Sequence, residues 1–277
     1  PTTVINASLE AAVKRAIEKL PTQAKVFGAR YGVRGILDEN FVDLRQVDQD
    51  TWKELGTAPG AALGASRFDL DNNDFATAVR TLRRHEVSQL AYIGGNGSMA
   101  TAARLEQVAK DQGFDLRVAG IPKTIDNDIP GTDVCPGFAS CARYFAQSVL
   151  DLAADVRCLP TPVSILEVMG RDSGWLAAAT VLARGPDQDA PHHIYLPEVP
   201  LSPEQFLDDV QLGFNQRGWV VVTVAEGVGD EAGNCPAPPF DDPAAAAHGG
   251  KMLGDVAAAL ARLVTGRLGL RARCEKP

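Results

Sequence analysis

The chain has 277 residues, of which 45% are hydrophobic and 22% are charged, and its net charge is −8. A hydrophobic fraction of this size without a long polar run predicts a globular protein, long enough for two lobes, and excludes a disordered chain. The acidic balance argues against nucleic-acid binding, which depends on basic residues that neutralise phosphates. Because there is no secretory signal and no apolar span long enough to cross a bilayer, we expect a cytoplasmic protein without membrane partners. The five cysteines lack metal-site spacing, as expected of reduced thiols.

Short apolar runs alternate with helical patterns along the chain. A helix is predicted first, at 6–20, and strands are predicted at 87–93, 116–121, 163–168 and 220–224, with a strand-like run at 270–274. Helices are predicted after three of these strands, ending near residue 112 and spanning 137–156 and 175–183. This order predicts an α/β fold with two Rossmann-like lobes, whose mainly parallel sheets are flanked by helices. A break at Cys135–Pro136 predicts lobes 1–135 and 136–277. A complete α/β domain usually begins with a strand, so we expect a chain that lacks both ends.

A glycine-rich turn, Gly94-Gly-Asn-Gly-Ser98, follows the first of these strands. Glycines bring backbone N–H groups close to an anion and a following helix adds partial positive charge, so the turn predicts a phosphate site. The turn also fits a dinucleotide pattern, but the expected acid, Asp115, stands at the start of the next strand rather than at its end, which argues against a dehydrogenase. An ordinary P-loop is absent. The alternative is a tight turn that binds nothing.

The segment Pro122-Lys-Thr-Ile-Asp-Asn-Asp128 follows the next strand and carries two carboxylates. A carboxylate within hydrogen-bond reach of a hydroxyl can take its proton as the oxygen attacks phosphorus. A second carboxylate can hold Mg²⁺, which prefers oxygen ligands shared with substrate phosphates. Lys123 could offset charge on the transferred group. Taken alone, the segment fits a solvated polar loop equally well.

Three segments together resemble the phosphofructokinases. These are the turn 94–98, the segment 122–128 and the sequence Met169-Gly-Arg171, in this order and with these gaps. The resemblance runs from Pro1 to about Pro277. It implies the two-lobed fold, a glycolytic transfer of phosphoryl to the 1-hydroxyl of fructose 6-phosphate, Mg²⁺ as cofactor, and a homodimer or homotetramer.

The resemblance also implies roles for the residues of the second segment. Asp126 matches the base for the sugar hydroxyl, and Thr124 matches a residue that contacts the sugar and the transferring phosphoryl group. Lys123 completes the predicted catalytic set. Asp128 matches a carboxylate that organises Mg²⁺, and Asn96 is the other predicted metal ligand. The family commonly has Asp at this last position, and an amide is a weaker ligand for Mg²⁺ than a carboxylate.

Five residues are predicted to bind the sugar phosphate: Met169, Gly170, Arg171, Glu226 and Arg273. Met169, Gly170 and Arg171 match the fructose 6-phosphate loop, and Glu226 matches a carboxylate that binds sugar hydroxyls. Arg273 matches an arginine that reaches the sugar phosphate across a subunit interface. One departure is proline at position 162, roughly where ATP-dependent bacterial relatives carry another sugar-phosphate arginine.

The resemblance implies five residues that bind the phosphoryl donor: Arg67, Gly95, Asn96, Gly97 and Ser98. Two positions disagree about which donor it is. Gly97 resembles ATP users, since a missing side chain leaves room for the α-phosphate of the nucleotide, whereas pyrophosphate users often place Asp there. Lys123 resembles pyrophosphate users, because many ATP users have Gly at that point. We give more weight to Gly97, so ATP is the predicted donor and pyrophosphate the alternative.

Three other functions are alternatives. A non-catalytic sugar-phosphate sensor is suggested by Asn96 and by the missing ends. A different kinase with a similar glycine-rich turn, such as an NAD kinase, would lack the Thr-Ile-Asp-Asn-Asp sequence. The dehydrogenase is the third. One assay of fructose 6-phosphate with each donor separates these alternatives.

Overall fold

The computed structural model describes residues 3–66, 68–186, 189–234, 236 and 255–277. The chain divides into two compact units, residues 1–124 and 125–277. This division lies N-terminal to the predicted break at Cys135–Pro136, next to the segment that carries Asp126. Within the described ranges, no helix combines the length and hydropathy needed to span a membrane.

The first unit contains two small sheets and five helices among its described residues. These elements are α1 (Thr3–Lys19), β1 (Phe27–Ala29), α2 (Val33–Leu37), β2 (Phe41–Asp43), α3 (Gln49–Leu55), α4 (Asn72–Arg84), β3 (Gln89–Gly94), α5 (Asn96–Asp111) and β4 (Arg117–Pro122). β3 and β4 pair in parallel, as the sequence predicts. β1 and β2 form an antiparallel pair that the sequence analysis did not predict.

Helices α4 and α5 supply the main core of the first unit. Val79 and Leu82 on α4 and Leu105 and Ala109 on α5 are almost fully buried in one cluster. Their spacing of three or four residues is the pattern of a helix with one buried face. The strands are less covered than predicted, because Ala91 in β3 is exposed. A pair of strands leaves both of its edges unpaired, so burial on both faces is harder to achieve than in a wider sheet.

The described part of the second unit contains a four-stranded parallel sheet in the order β6-β7-β5-β8. Its elements are α6 (Phe138–Val156), β5 (Val163–Val168), α7 (Trp175–Ala179), β6 (His193–Tyr195), α8 (Pro203–Arg217), β7 (Val220–Ala225), α9 (Val256–Leu268) and β8 (Ala272–Glu275). Every residue of β5 and β7 is buried, as expected of the central strands of a parallel sheet. The α/β fold with parallel sheets and flanking helices is therefore confirmed.

One predicted segment of the second unit differs from the structure, and another lies largely outside the described residues. The helix predicted at 175–183 is α7 followed by a 3₁₀ turn over Thr180–Ala183. The hydroxyl of Thr180 donates to the carbonyl of Ala177 at 2.6 Å, a local side-chain bond that competes with regular helix. The proline-rich segment 234–243 predicts a surface loop, and it lies outside the described residues except for positions 234 and 236.

His192 lies just before β6, and its side chain is only 3% exposed. Its Nδ1 accepts a hydrogen bond from the backbone N–H of Val221 at 2.9 Å, and its Nε2 is 3.3 Å from Asp189 Oδ1. A ring nitrogen that accepts a hydrogen bond carries no proton, so this geometry requires the neutral imidazole. Burial lowers the pKa of His192, with Arg217 acting in the same direction and Asp189 opposing it.

The free energy of unfolding should therefore decrease in mild acid. Below the pKa of an unfolded histidine, about 6.5, the unfolded chain takes up a proton that the folded imidazole resists. We expect the urea midpoint to fall between about pH 7.5 and pH 5.5, and to fall less in His192→Asn. An equal fall in the variant would exclude His192 as the group responsible.

Candidate active site

The glycine-rich turn of the first unit is shorter than predicted. Gly95 is the N-cap of α5, and the helix begins at Asn96, so Asn96 to Ser98 form its first turn rather than a loop. The N–H groups of a first helical turn have no carbonyl partner within the helix and point toward its N-terminal end. Such an end, directly after the strand β3, can hold a phosphate.

Lys123 and Thr124 lie beside this turn. The N–H of Lys123 donates to the carbonyl of Gly94 at 2.8 Å, which extends the parallel pairing of β3 and β4. A side chain at Gly95 would lie 3.5 Å from the carbonyl oxygen of Lys123 and 3.6 Å from Cβ of Thr124. The first unit thus brings together predicted donor-binding and catalytic residues, because the carboxyl ends of neighbouring parallel strands meet at one edge.

Gly97 stands in open space at the start of α5. It is exposed, and a Cβ atom built on it would have no neighbour within 4 Å. The backbone there therefore has room either for a side chain or for a bulky ligand. This is the position on which the predicted preference for ATP depends.

The segment around Asp126 is anchored by the residue that follows it. Asn127 is buried and adopts the left-handed backbone conformation with φ of 57°, which asparagine tolerates better than most residues. Its side-chain amide donates to the carbonyl of Asp133 at 3.2 Å and accepts from the N–H of Cys135 at 2.7 Å. These two bonds close residues 127–135 into a fixed loop next to Asp126.

The Asp126 carboxylate is close enough to Cys141, the fourth residue of α6, for its charge to act on that thiol. The pKa of the Cys141 thiol is raised to about 11, chiefly by burial, with the negative charge of Asp126 adding to the effect. Ser173 reaches Asp126 from another loop, since its hydroxyl donates to the carbonyl of Asp126 at 2.8 Å.

The loops after β5 and β7 are bound to each other. The N–H of Gly170 donates to Glu226 Oε1 at 3.4 Å, and the N–H of Gly227 donates to the carbonyl of Gly170 at 3.2 Å. Gly170 has φ of 131°, and a side chain at Gly227 would overlap the backbone oxygen of Arg171, so both positions require glycine. Arg171 itself is exposed.

Four of the five predicted sugar-phosphate residues therefore lie on two adjoining loops of the second unit, including Met169, which is 47% exposed. The fifth, Arg273, lies elsewhere in the same unit. It pairs with Ser164 in the register of β8 and β5, and its guanidinium contacts Asp155 at 2.6 Å. Ser164 is four residues before the end of β5, so Arg273 is about 13 Å along the sheet from that end. Its predicted role across a subunit interface stays a prediction.

The remaining predicted residues are divided between the two units. Asn96 belongs to the first unit and Asp128 to the second, and Arg67 lies outside the described residues. In the part of the chain that the structure describes, no group of three or more His, Cys, Asp or Glu side chains is arranged for a metal ion. The anchoring roles of Asn127 and Ser173 were not predicted, because they depend on contacts that sequence spacing does not reveal.

The structure is that of an α/β protein whose candidate loops follow the ends of parallel strands. The sequence profile described as "Phosphofructokinase" matches residues 1–276. The chain belongs to the phosphofructokinase family.

Named relatives and solved structures agree with this assignment. The chain is 39% identical over its whole length to a pyrophosphate–fructose 6-phosphate 1-phosphotransferase of Xanthomonas campestris, covering 67% of that protein. It matches the crystal structure of a pyrophosphate-dependent phosphofructokinase of Marinobacter aquaeolei with TM-score 0.82 and 33% identity, over 99% of this chain and 65% of the other. An ATP-dependent 6-phosphofructokinase of Amycolatopsis methanolica is 31% identical over 75% of this chain and 44% of its own. The chain thus spans about two thirds of the length of the first two relatives.

Proposed function

We propose that the protein containing this chain transfers a phosphoryl group from pyrophosphate to the 1-hydroxyl of fructose 6-phosphate. The observation that carries this proposal is the fixed loop around Asp126. Asn127 anchors the loop on one side, and Ser173 connects it to the loop that carries Arg171. A carboxylate on a rigid backbone suits a general base, whose efficiency depends on constant geometry.

The other roles follow from position and charge. Arg171, exposed after β5, can grip the sugar phosphate with two parallel hydrogen bonds. Glu226 is half-buried beside it and can accept hydrogen bonds from sugar hydroxyls. Lys123 and Thr124, at the end of β4, can contact the phosphoryl group in transfer, where positive charge stabilises the equatorial oxygens.

We propose Mg²⁺ as the cofactor. Asp128 supplies a carboxylate, the hard oxygen ligand that Mg²⁺ prefers and commonly shares with substrate phosphates. When bound, Mg²⁺ would neutralise charge on the donor phosphates. The exposed amide of Asn96 is a weaker candidate ligand.

Pyrophosphate is favoured as donor over the ATP that the sequence alone predicted. The preference for ATP depended on Gly97, but an absent side chain only permits a nucleotide and does not disfavour a smaller donor. Lys123 favours pyrophosphate. Of the three relatives described above, the two that are more similar in sequence to this chain carry pyrophosphate-dependent names. ATP remains the second candidate, because a side chain at Gly97 would meet nothing within 4 Å and the space for an α-phosphate is open.

Steady-state assays of the full-length protein test the proposal. Fructose 6-phosphate and Mg²⁺ are supplied with either pyrophosphate or ATP, and the bisphosphate product is measured. We expect a higher kcat/KM with pyrophosphate. A preference for ATP would replace the first donor by the second, and no product with either donor would support the sugar-phosphate sensor.

Arg171→Ala should raise the KM for fructose 6-phosphate by about tenfold or more, since a hydrogen bond to a charged group contributes about 1.5–3 kcal/mol. A matched control is Arg262→Ala, which removes an exposed arginine from α9, outside both loops. The control should leave the KM unchanged. If the KM were also unchanged in Arg171→Ala, Arg171 would be excluded as a ligand of the sugar phosphate.

A further inference from the structure

Ser173 is a buried hydroxyl whose hydrogen bond joins two of the candidate loops. Ser173 is 7% exposed, and its Oγ donates a hydrogen bond to the backbone carbonyl of Asp126 at 2.8 Å. The two residues are far apart in sequence, so this bond is a tertiary contact rather than a local turn. It connects the segment that carries the proposed base to the loop that carries Arg171.

The backbone around Ser173 is held in place on its own loop. A side chain at Gly170 would overlap the backbone oxygen of Ser173, which shows how tightly the chain turns between these residues. The N–H of Gly174, the residue after Ser173, donates to Glu198 Oε1 at 2.7 Å. Gly174 is also the N-cap of α7. The backbone that carries the Ser173 hydroxyl is therefore held by contacts on both sides of the residue.

The accepting carbonyl is coupled to the direction of the Asp126 side chain. The carbonyl of Asp126 and the N–H of Asn127 belong to one planar peptide unit. On the far side of that unit, the Asn127 amide is bonded to Asp133 and Cys135. Holding the peptide plane in one orientation restricts ψ of Asp126, and with it the direction of the Cα–Cβ bond that carries the carboxylate. The Ser173 bond holds the same plane at the carbonyl of Asp126.

We propose that Ser173 is a positioning residue for Asp126, aligning the base with a sugar whose phosphate is held by the Ser173 loop. This inference rests on the proposed function, because it assigns Ser173 to the phosphoryl transfer described above. Ser173 touches neither substrate nor donor in this role. Its hydroxyl holds the segment that carries the base at a constant distance from the loop that would bind the sugar phosphate.

Ser173→Ala should lower kcat and leave sugar binding nearly unchanged. A displacement of a catalytic group by a fraction of an ångström to 1 Å can cost up to about 100-fold in rate, and we expect a fall of about tenfold. The KM for fructose 6-phosphate, and its dissociation constant measured by calorimetry without donor, should change by less than about threefold. Ser173→Thr keeps the hydroxyl and should recover most of the lost kcat.

Thr180→Val is the matched control. Thr180 also carries a buried hydroxyl of the second unit that donates to a backbone carbonyl, that of Ala177, and it lies 3.2 Å from the hydroxyl of Thr223. Both partners lie outside the two candidate loops. Thermal stability is measured for all variants, and the control should lose stability without a matching loss of kcat. A kcat in Ser173→Ala within about twofold of wild type would overturn the inference. An equal fall in kcat in the control would also overturn it, because Ser173 would then affect kcat only through the stability of the fold.

The failure of this inference can be told apart from failure of the proposed function. If the wild-type protein forms no bisphosphate with either donor, the proposed function fails, and the inference that rests on it falls with it. If wild type is active and only the Ser173 result is contrary, the function stands and the positioning role is rejected.

Discussion

Replacing Asp126 by asparagine should lower kcat by about 10²–10⁴-fold, the range that general base catalysis supplies. Asparagine has nearly the same shape, so the backbone bonds that hold this segment should persist, including the one from Ser173. Binding of fructose 6-phosphate should therefore stay close to that of wild type. The measurement is kcat, with sugar binding followed separately by calorimetry.

Asp133→Asn is the control for this change. Asp133 is an exposed aspartate in the same loop, and its contribution to the anchoring of Asn127 comes from its backbone carbonyl, which the substitution leaves in place. The control should keep kcat near the wild-type value. If Asp126→Asn retained more than about half of the wild-type kcat, Asp126 would be excluded as the base.

Gly97→Asp should lower kcat/KM for ATP by about 100-fold, equivalent to about 2.7 kcal/mol, and leave pyrophosphate use largely intact. The side chain would enter open space without displacing protein atoms. It would crowd and repel the α-phosphate of a nucleotide, whereas pyrophosphate has no group in that space. Gly97→Ala adds a Cβ without charge, so it separates crowding from repulsion and should have a smaller effect.

Lys123→Gly completes the donor experiment. Charge develops on the transferred phosphoryl group and its leaving oxygen with either donor, so Lys123 should matter in both cases. Pyrophosphate use should suffer most, because that donor has no nucleoside to contribute binding energy. Equal losses with both donors in Gly97→Asp would contradict the assignment of this position to donor choice.

The sequence predicted the parts of the fold with the strongest apolar patterns. The strand at Val163–Val168 has the predicted bounds, and β3, β4 and β7 lie within two residues of theirs, because each is a run of apolar residues that ends at glycine, proline or a polar turn. The pair β1 and β2 was missed, since strands of three residues are too short for a recognisable pattern.

The part of the candidate site that could be predicted from the sequence is the position of each loop after a strand. Parallel strands place their carboxyl ends at one edge, so Lys123 could be expected beside Gly95, and Gly170 beside Glu226. The anchoring of Asp126 could not be predicted, because the bond from Ser173 joins residues that are distant in sequence. The helix start at Asn96 was also missed, since a glycine-rich turn does not show where the first helical turn begins.

Phosphorus NMR of the reaction products tests the central claim most directly. The full-length protein is incubated with fructose 6-phosphate, Mg²⁺ and pyrophosphate, and in a second sample with ATP in place of pyrophosphate, and the spectra are followed over time. Transfer to the 1-hydroxyl predicts a new phosphate ester at C1 beside the ester at C6, with one orthophosphate released for each ester formed. Orthophosphate without a new ester would mean that water accepts the phosphoryl group, and an unchanged spectrum with both pyrophosphate and ATP would contradict phosphoryl transfer to this sugar altogether.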